Sequence, residues 1–506
     1  MKCEIETKES FKFTSAIIWV GLSQIIIYSF GLITLPILTK AFGTELYGIW
    51  SQIMVTVGLL NPILTLHLGA AAVRYLSAEK DIKKISVNFS NMLSTILLIT
   101  ITIIIVSALF RSNLAVILFQ NINYSLLIIL MFILASTGAI ISFMICYLRA
   151  RGKIKALSIF NILCTLIKII ILSVLVIFNF SLETIVLSWI LVESIFIISL
   201  FILIIKKIGF RLPNFSNLSN YLTFSVPQVP SGTLLWIIDS SDRYLITSFL
   251  GLSQTGIYSV SYSLGSLMSF FYVPLSFVVF PLISSYWENN EVNNVKTYLE
   301  YSTKIFLALA IPGAMIIYNL SFPLLNVLTT SKFSVSSSLI LLIAIGTIFL
   351  GIYQINFYII CLIEKTKYVP FIIGISAFLN IILNIILIPK LGIMGAAIST
   401  IISYAILATI VLSWAKMEIN YNLDYLFIFK IIVSSLLMTF IINFITISNS
   451  LEIILVAITG CILYIIFLFI FRTFSVSERK MMYALLYKLK IRILNFNKPK
   501  SKIIYK

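Results

Sequence analysis

The chain has 506 residues, of which 60% are hydrophobic and 11% charged, with a mean hydropathy of +1.09 and a formal net charge of +18. A soluble protein of this length cannot bury so much apolar side chain, which argues against a globular enzyme and makes the bilayer the natural solvent. Five scattered cysteines (Cys3, Cys146, Cys164, Cys361 and Cys461) and a single histidine, His67, give neither a zinc site nor a disulfide framework, so no metal and no cofactor is expected.

Residues 1–14 form a leader that mixes Lys2, Lys8 and Lys12 with Glu4, Glu6 and Glu9; no small-residue cleavage site follows, so no removable signal peptide is expected. A helix crossing about 30 Å of hydrocarbon needs roughly 20 apolar residues. Fourteen such stretches follow in order: 15–38, 46–70, 88–110, 124–148, 156–178, 182–205, 221–249, 255–284, 303–327, 338–362, 368–388, 392–414, 426–445 and 451–471. The first six, over 15–205, make an N-lobe; a linker at 206–220 leads to the next six, a C-lobe over 221–414; 426–471 holds two further helices and 472–506 a basic tail. The expected fold is therefore an all-α integral membrane protein.

An even number of spans puts both termini on one side, and the connections on that side hold most of the Lys and Arg, including Arg74, Lys80, Lys83, Lys84, Arg149, Arg151, Lys153, Lys155, Lys206, Lys207 and Arg211. The opposite side has only Lys40, Arg111, Lys332 and Lys390. The positive-inside rule makes the termini cytoplasmic, and it accounts for the net charge without nucleic acid. In the tail, Met481, Leu485 and Leu489 alternate with Arg479, Lys480 and Lys488, a spacing that fits either an interfacial amphipathic helix or a solvated basic end.

The spans repeat. Ile37 to Gly43 matches Leu245 to Gly251 at an offset of 208 residues, and Tyr47-Gly-Ile-Trp-Ser51 continues against Thr255-Gly-Ile-Tyr-Ser259 without a gap. Gly152 to Lys155 matches Glu364 to Lys367 at an offset of 212. Six helices per copy keep both copies in one orientation, which predicts parallel repeats related by an axis along the membrane normal.

Ionisable groups inside hydrocarbon are expensive, so each is a functional candidate. Lys168, Glu193 and Asp239 lie ten, eleven and ten residues from the outer ends of their spans, about 15 Å deep at the helical rise. All three are near the midplane. Lys168 and Glu193, on consecutive spans, are placed to pair, either structurally or as a cation beside a coupling acid. Asp239 and Arg243 stand i,i+4 with the acid first, the favourable order for a pair along one face, with Asp242 beside them. Pro227, Pro230 and Gly232 interrupt the seventh span and are the expected gate or hinge, static bends being the alternative. His67 has no ligand-type neighbour at helical spacing and is expected to be packed or hydrogen-bonded.

Five stretches carry a resemblance: Glu45 to Ser51, Leu68 to Arg74, Asp242 to Gly251, Gly256 to Tyr258, and the run Asn380-Ile-Ile-Leu-Asn-Ile-Ile-Leu-Ile-Pro-Lys-Leu-Gly392 through Ile398. Together they resemble the polysaccharide flippases of the multidrug/oligosaccharidyl-lipid/polysaccharide exporter superfamily. The resemblance implies two pseudo-symmetric lobes plus two C-terminal helices, alternating access, and a polyprenyl-diphosphate-linked oligosaccharide as cargo, with membrane lipids and other polysaccharide-assembly membrane proteins as further partners. It implies no catalytic residue. Lys168, Arg243, Arg74 and Arg149 are then candidates to bind the anionic headgroup, and Glu193, Asp239 and Asp242 to couple an ion gradient, since the chain has no GxxxxGK[ST] phosphate loop. The alternatives are a cation-coupled multidrug exporter, which would need cavity acids without cavity cations, and a membrane-bound glycosyltransferase or polymerase, which would need acidic or histidine motifs in a sizeable loop.

Overall fold

The computed structural model describes residues 2–215, 218–445, 447 and 449–474, with side chains from residue 26 onward except at 27, 28, 277, 278 and 450. The expectations for the tail beyond residue 474 lie outside these residues. The described chain is helical throughout, in the order α1 (Lys2–Thr65), α2 (Leu68–Ala78), α3 (Ile82–Leu109), α4 (Arg111–Phe119), α5 (Ser125–Ala150), α6 (Ile154–Ile177), α7 (Leu182–Ile208), α8 (Leu218–Ser225), α9 (Val229–Leu250), α10 (Leu252–Gly265), α11 (Ser269–Glu288), α12 (Val292–Leu328), α13 (Ser337–Asn356), α14 (Tyr358–Leu362), α15 (Val369–Leu391), α16 (Ile393–Ile419), α17 (Tyr425–Ile442) and α18 (Ser450–Ile470). A backbone in lipid must satisfy its own N–H and C=O groups, and helices do so within one segment.

Twelve stretches among the described residues are long and apolar enough to cross a membrane. One of them, Ser29–Thr65, is two helices that meet at Gly43, where φ is 70° and ψ is −171°. The pair α8–α9, which carries Asp239, Asp242 and Arg243, is not among the twelve. Adding these two gives the fourteen expected crossings. Side chains sort accordingly: Leu98, Ile101, Ile170, Phe440, Leu455 and Ile458 are exposed, while Gln52, Asn91, Asn356, Asn380 and Asn384 are fully buried. Such a surface belongs against acyl chains.

The repeat is visible in the backbone. Gly43 and Gly251, 208 residues apart, both have positive φ (70° and 87°) where one helix turns into the next. Gly152 and Glu364, 212 apart, are likewise positive (64° and 57°). The second helices of the two copies cross at Gly48 and Gly256: a Cβ on Gly48 would fall 2.1 Å from the Leu252 carbonyl oxygen, and one on Gly256 would fall 2.1 Å from that of Thr44. One turn on, Ser51 Oγ and Ser259 Oγ are 2.6 Å apart. Each residue touches the partner's equivalent at the same offset, the mark of a two-fold relation. The chain thus forms two pseudo-symmetric six-helix lobes, with α17 and α18 packed on α12 through Phe427, Ile431, Met438 and Tyr464. At the start of α17, burial would raise the Asp424 carboxyl, but the Lys304 ammonium at 2.9 Å and the Phe427 N–H at 3.0 Å outweigh it and hold it below the usual carboxylate range.

Several elements differ from expectation. The second span is split, because Leu66 and His67 adopt left-handed φ (45° and 52°) between α1 and α2. The seventh, by contrast, is interrupted where its prolines were expected to bend it, by a 3-10 turn at Val226–Gln228 that contains Pro227. The eighth is split at Ser266–Met268, upstream of Pro274 and Pro281, which are accommodated inside α11.

Candidate functional site

The intramembrane charges form two separate clusters, one in each lobe. In the N-lobe, Lys168 of α6 reaches Glu193 of α7, with Nζ 2.5 Å from Oε1 and side chains 15% and 9% exposed. Thr137 of α5 donates its hydroxyl to the other carboxylate oxygen. The ammonium also lies 4.9 Å from the ring of Trp189, which meets Trp50 edge-on at 4.7 Å. The carboxylate and the aromatic face together offset the cost of placing an ammonium within an apolar span.

In the C-lobe, the expected side-chain pair of Asp239 with Arg243 does not form. Arg243 pairs with its neighbour Asp242, Nη1 to Oδ1 at 3.0 Å, and donates to the main-chain carbonyl of Asp239 instead. The cause is tyrosine: Tyr262 and Tyr404 hydroxyls donate to Asp239 Oδ1 at 2.5 and 3.0 Å, drawing that carboxylate toward α10 and α16. The Arg243 guanidinium stacks 3.8 Å over the Tyr262 ring, and Tyr258 donates to Asp242 Oδ2 at 2.5 Å. Asp242 and Arg243 are buried, whereas Asp239 keeps partial exposure. Beside them, Asn384 Nδ2 donates to Asn380 Oδ1 at 2.9 Å, a fully buried amide pair that helical spacing alone could have flagged.

One helix touches both clusters. In the second half of α1, Trp50 packs on Trp189, and two residues later Gln52 donates to the Arg243 carbonyl at 2.9 Å and to Thr247 Oγ1 at 2.5 Å. Further lobe-to-lobe contacts lie toward the Gly43 end: Thr44 to Ser253 at 2.6 Å, Gln120 to the Thr247 carbonyl at 2.6 Å and Thr39 to the Leu328 carbonyl at 3.1 Å. That end is closed. Toward the other end, which carries the basic connections, the lobes part around a cavity of about 480 Å³ lined by Asn61, Thr65, His67, Cys146, Gly232 and Trp236 among others. Neither Lys168 nor Arg243 lines it, and none of its lining residues is Asp, Glu, Lys or Arg. Below it, Arg74 is exposed at the surface but lays its guanidinium 4.4 Å over Phe224 of the opposite lobe, and Arg149 is exposed. Gly232 faces the cavity one turn after the break at Pro227. His67, expected to be packed or hydrogen-bonded, is packed against Gly232, and its buried Nε2 has no hydrogen-bond partner.

A second, larger cavity of about 790 Å³ is apolar and lies between α1, the α10–α11 junction, α12 and α18. Leu32, Phe271, Pro312, Ile316, Tyr464 and Leu468 line it, and Arg472 stands among the lining residues at its basic end.

Residues 13–287, over half of the chain, match the model of the polysaccharide biosynthesis protein family. The chain belongs to that family. Residues 229–386 also match the MatE family model. It is 33% identical over 176 residues to an uncharacterized membrane protein of Methanocaldococcus jannaschii, covering 34% of each chain. It is 26% identical over 234 residues to the probable low-salt glycan biosynthesis flippase Agl15 of Haloferax volcanii, covering 46% of this chain and 48% of that one. The match thus spans a half or less of either curated relative. Among solved structures, the lipid II flippase MurJ in its inward closed conformation superposes with a TM-score of 0.75 at 20% identity, over 90% of this chain and 98% of that one. At that identity the likeness speaks for the fold.

Proposed function

We propose that this chain is a flippase, not an enzyme, that carries a polyprenyl-diphosphate-linked oligosaccharide across the cytoplasmic membrane by alternating access. The observation that carries the reading is the pairing of two unlike cavities: an inter-lobe cavity with polar groups for a hydrophilic headgroup, and beside α18 a larger apolar cavity that suits an isoprenoid tail. A soluble drug has no use for the second. The description of Agl15 as a glycan biosynthesis flippase and that of MurJ as a lipid II flippase agree with it. The basic connections support a cytoplasmic location of both termini, and in this reading the cavity opens toward the side on which lipid-linked sugars are assembled.

In this scheme Arg74 and Arg149 receive the diphosphate at the cytoplasmic mouth, and Arg472 stands where the apolar cavity meets the headgroup level. Lys168 and Arg243, neutralised by Glu193 and Asp242, stand behind the cavity lining and brace the two lobes. Asp239 is the coupling acid best placed to act, because no Lys or Arg side chain holds its carboxylate and its tyrosine partners tie α9 to α10 and α16. The break at Pro227 and Pro230, with Gly232, is the hinge about which α9 swings.

The test is flipping of a fluorescent polyprenyl-diphosphate sugar in vesicles containing the purified protein, with efflux of a cationic dye measured in parallel. Sugar-lipid movement without dye efflux is expected, and Asp239→Asn should lower it at least about tenfold, the loss of one charge-dependent step. Dye efflux without sugar-lipid movement would establish the multidrug exporter instead.

A further inference from the structure

His67 occupies an unusual position. It stands at the break between α1 and α2 with φ 52° and ψ 21°, preceded by Leu66 at φ 45°. Two successive non-glycine residues in the left-handed region are a strained arrangement that surrounding structure must hold. What it holds is the imidazole, placed against the inter-lobe cavity on the N-lobe side. Its Nε2 is buried and has no hydrogen-bond partner. The reason lies across the lobe interface: a Cβ on Gly232 of α9 would sit only 3.0 Å from that nitrogen, so the bare glycine backbone is the lid over it. Gly232 follows the break at Val226–Gln228, the point at which α9 can pivot.

A nitrogen that is unpaired while the lobes are drawn together at Gly232 is one that finds its partner when something else enters. The groups facing His67 define what that is. α5 offers the Cys146 thiol, α1 offers Asn61 and Thr65, α9 offers Gly232 and Trp236, and no carboxylate or cation comes from any of them. On its own helix the nearest charge is Arg74, whose guanidinium is engaged on Phe224. The positive end of α2 begins at the same place. An anion entering here meets no acidic side chain and one imidazole, which burial makes harder to protonate and which an adjoining phosphate would make easier.

We propose that His67 is a headgroup-binding residue: its Nε2–H donates to a phosphoryl oxygen of the lipid diphosphate once α9 moves Gly232 aside. The proposal rests on the flippase reading and adds to it the residue inside the cavity that the cargo's charge engages, the Lys168 and Arg243 pairs being already satisfied.

The experiment measures binding of a synthetic polyprenyl-diphosphate N-acetylglucosamine to the full chain in nanodiscs at pH 6 and pH 8. Both phosphates of this probe are esterified, so their charge is fixed over that range. A polyprenyl glycoside without phosphate serves as the control. Wild type should bind the diphosphate probe several-fold more tightly at pH 6 than at pH 8. H67A should lose at least tenfold at pH 6 and become independent of pH. H67Q, which retains an N–H donor near the same position without a charge, should stay within threefold of the wild-type affinity at pH 8 and be flat with pH. A flat wild-type profile, which needs no variant to fold, overturns the proposal. So does H67A binding the diphosphate probe as wild type does, or losing affinity equally for the glycoside, which would make the partner a sugar hydroxyl. In each of those cases the flippase reading stands. Failure of the wild type to bind the diphosphate probe at either pH removes both.

Discussion

Lys168 and Glu193 show how far single residues can be read. Their places in consecutive spans left a direct pair open, and they form one, at 2.5 Å. Removing one member leaves a charge in a site that hydrocarbon surrounds, whereas removing both leaves a neutral one. Lys168→Met alone is therefore expected to destabilise the protein by about 3–5 kcal/mol, with K168M/E193Q recovering most of the loss, as measured by denaturant unfolding in detergent micelles. Equal stability of the single and double variants would show that the pair is not coupled. The C-lobe charges were half legible. Spacing located Asp239, Asp242 and Arg243, yet it paired the arginine with the wrong acid, because the tyrosines that claim Asp239 come from α10 and α16. Helical periodicity describes one helix at a time, and a hydroxyl in an apolar run gives no sign of which carboxylate it serves. The same limit applies to His67: no local pattern records that a glycine from the other lobe covers its nitrogen.

At the scale of elements, the repeat offset proved to be a statement about packing. Gly48 and Gly256 occupy matching positions because two backbones pass each other there with no room for a side chain. Gly48→Ala would place a methyl 2.1 Å from the Leu252 carbonyl, so α1 and α10 must separate. A loss of about 1–3 kcal/mol or more and a marked fall in transport are expected. Gly31→Ala, with nothing within 4 Å of the added methyl, is the control and should melt as wild type does. Thermal unfolding followed by size-exclusion of the micellar protein distinguishes the two. Span positions were legible because hydrophobic length in a bilayer is a strong constraint, and most ends fell within a turn or two. Breaks were legible only where proline causes them. The turn at Ser266–Met268 and the left-handed pair at Leu66 and His67 contain no proline or glycine that forces them. They arise from how neighbouring helices pack.

For the whole molecule, alternating access requires the seal at the Gly43 end to open while the cavity at the basic end closes. Thr44 and Ser253 meet there with their hydroxyls 2.6 Å apart, one from each lobe. T44C/S253C in a background without the native cysteines should form a disulfide under oxidation, hold this end shut and stop flipping, with activity returning on reduction. Gel mobility after protease cleavage between the lobes, read beside the vesicle assay, checks it; undiminished flipping by the fully cross-linked protein would exclude rocking of the lobes about this seal. The sequence by itself determined the membrane environment, the all-α fold and the two-fold repeat, because each follows from apolar length or from spacing along one chain. Only the tertiary structure decided which acid each cation serves, which end is closed and what lines the cavities. Those depend on side chains from helices far apart in sequence meeting across a lobe interface, and the energetics of such meetings leave no periodic trace in either segment.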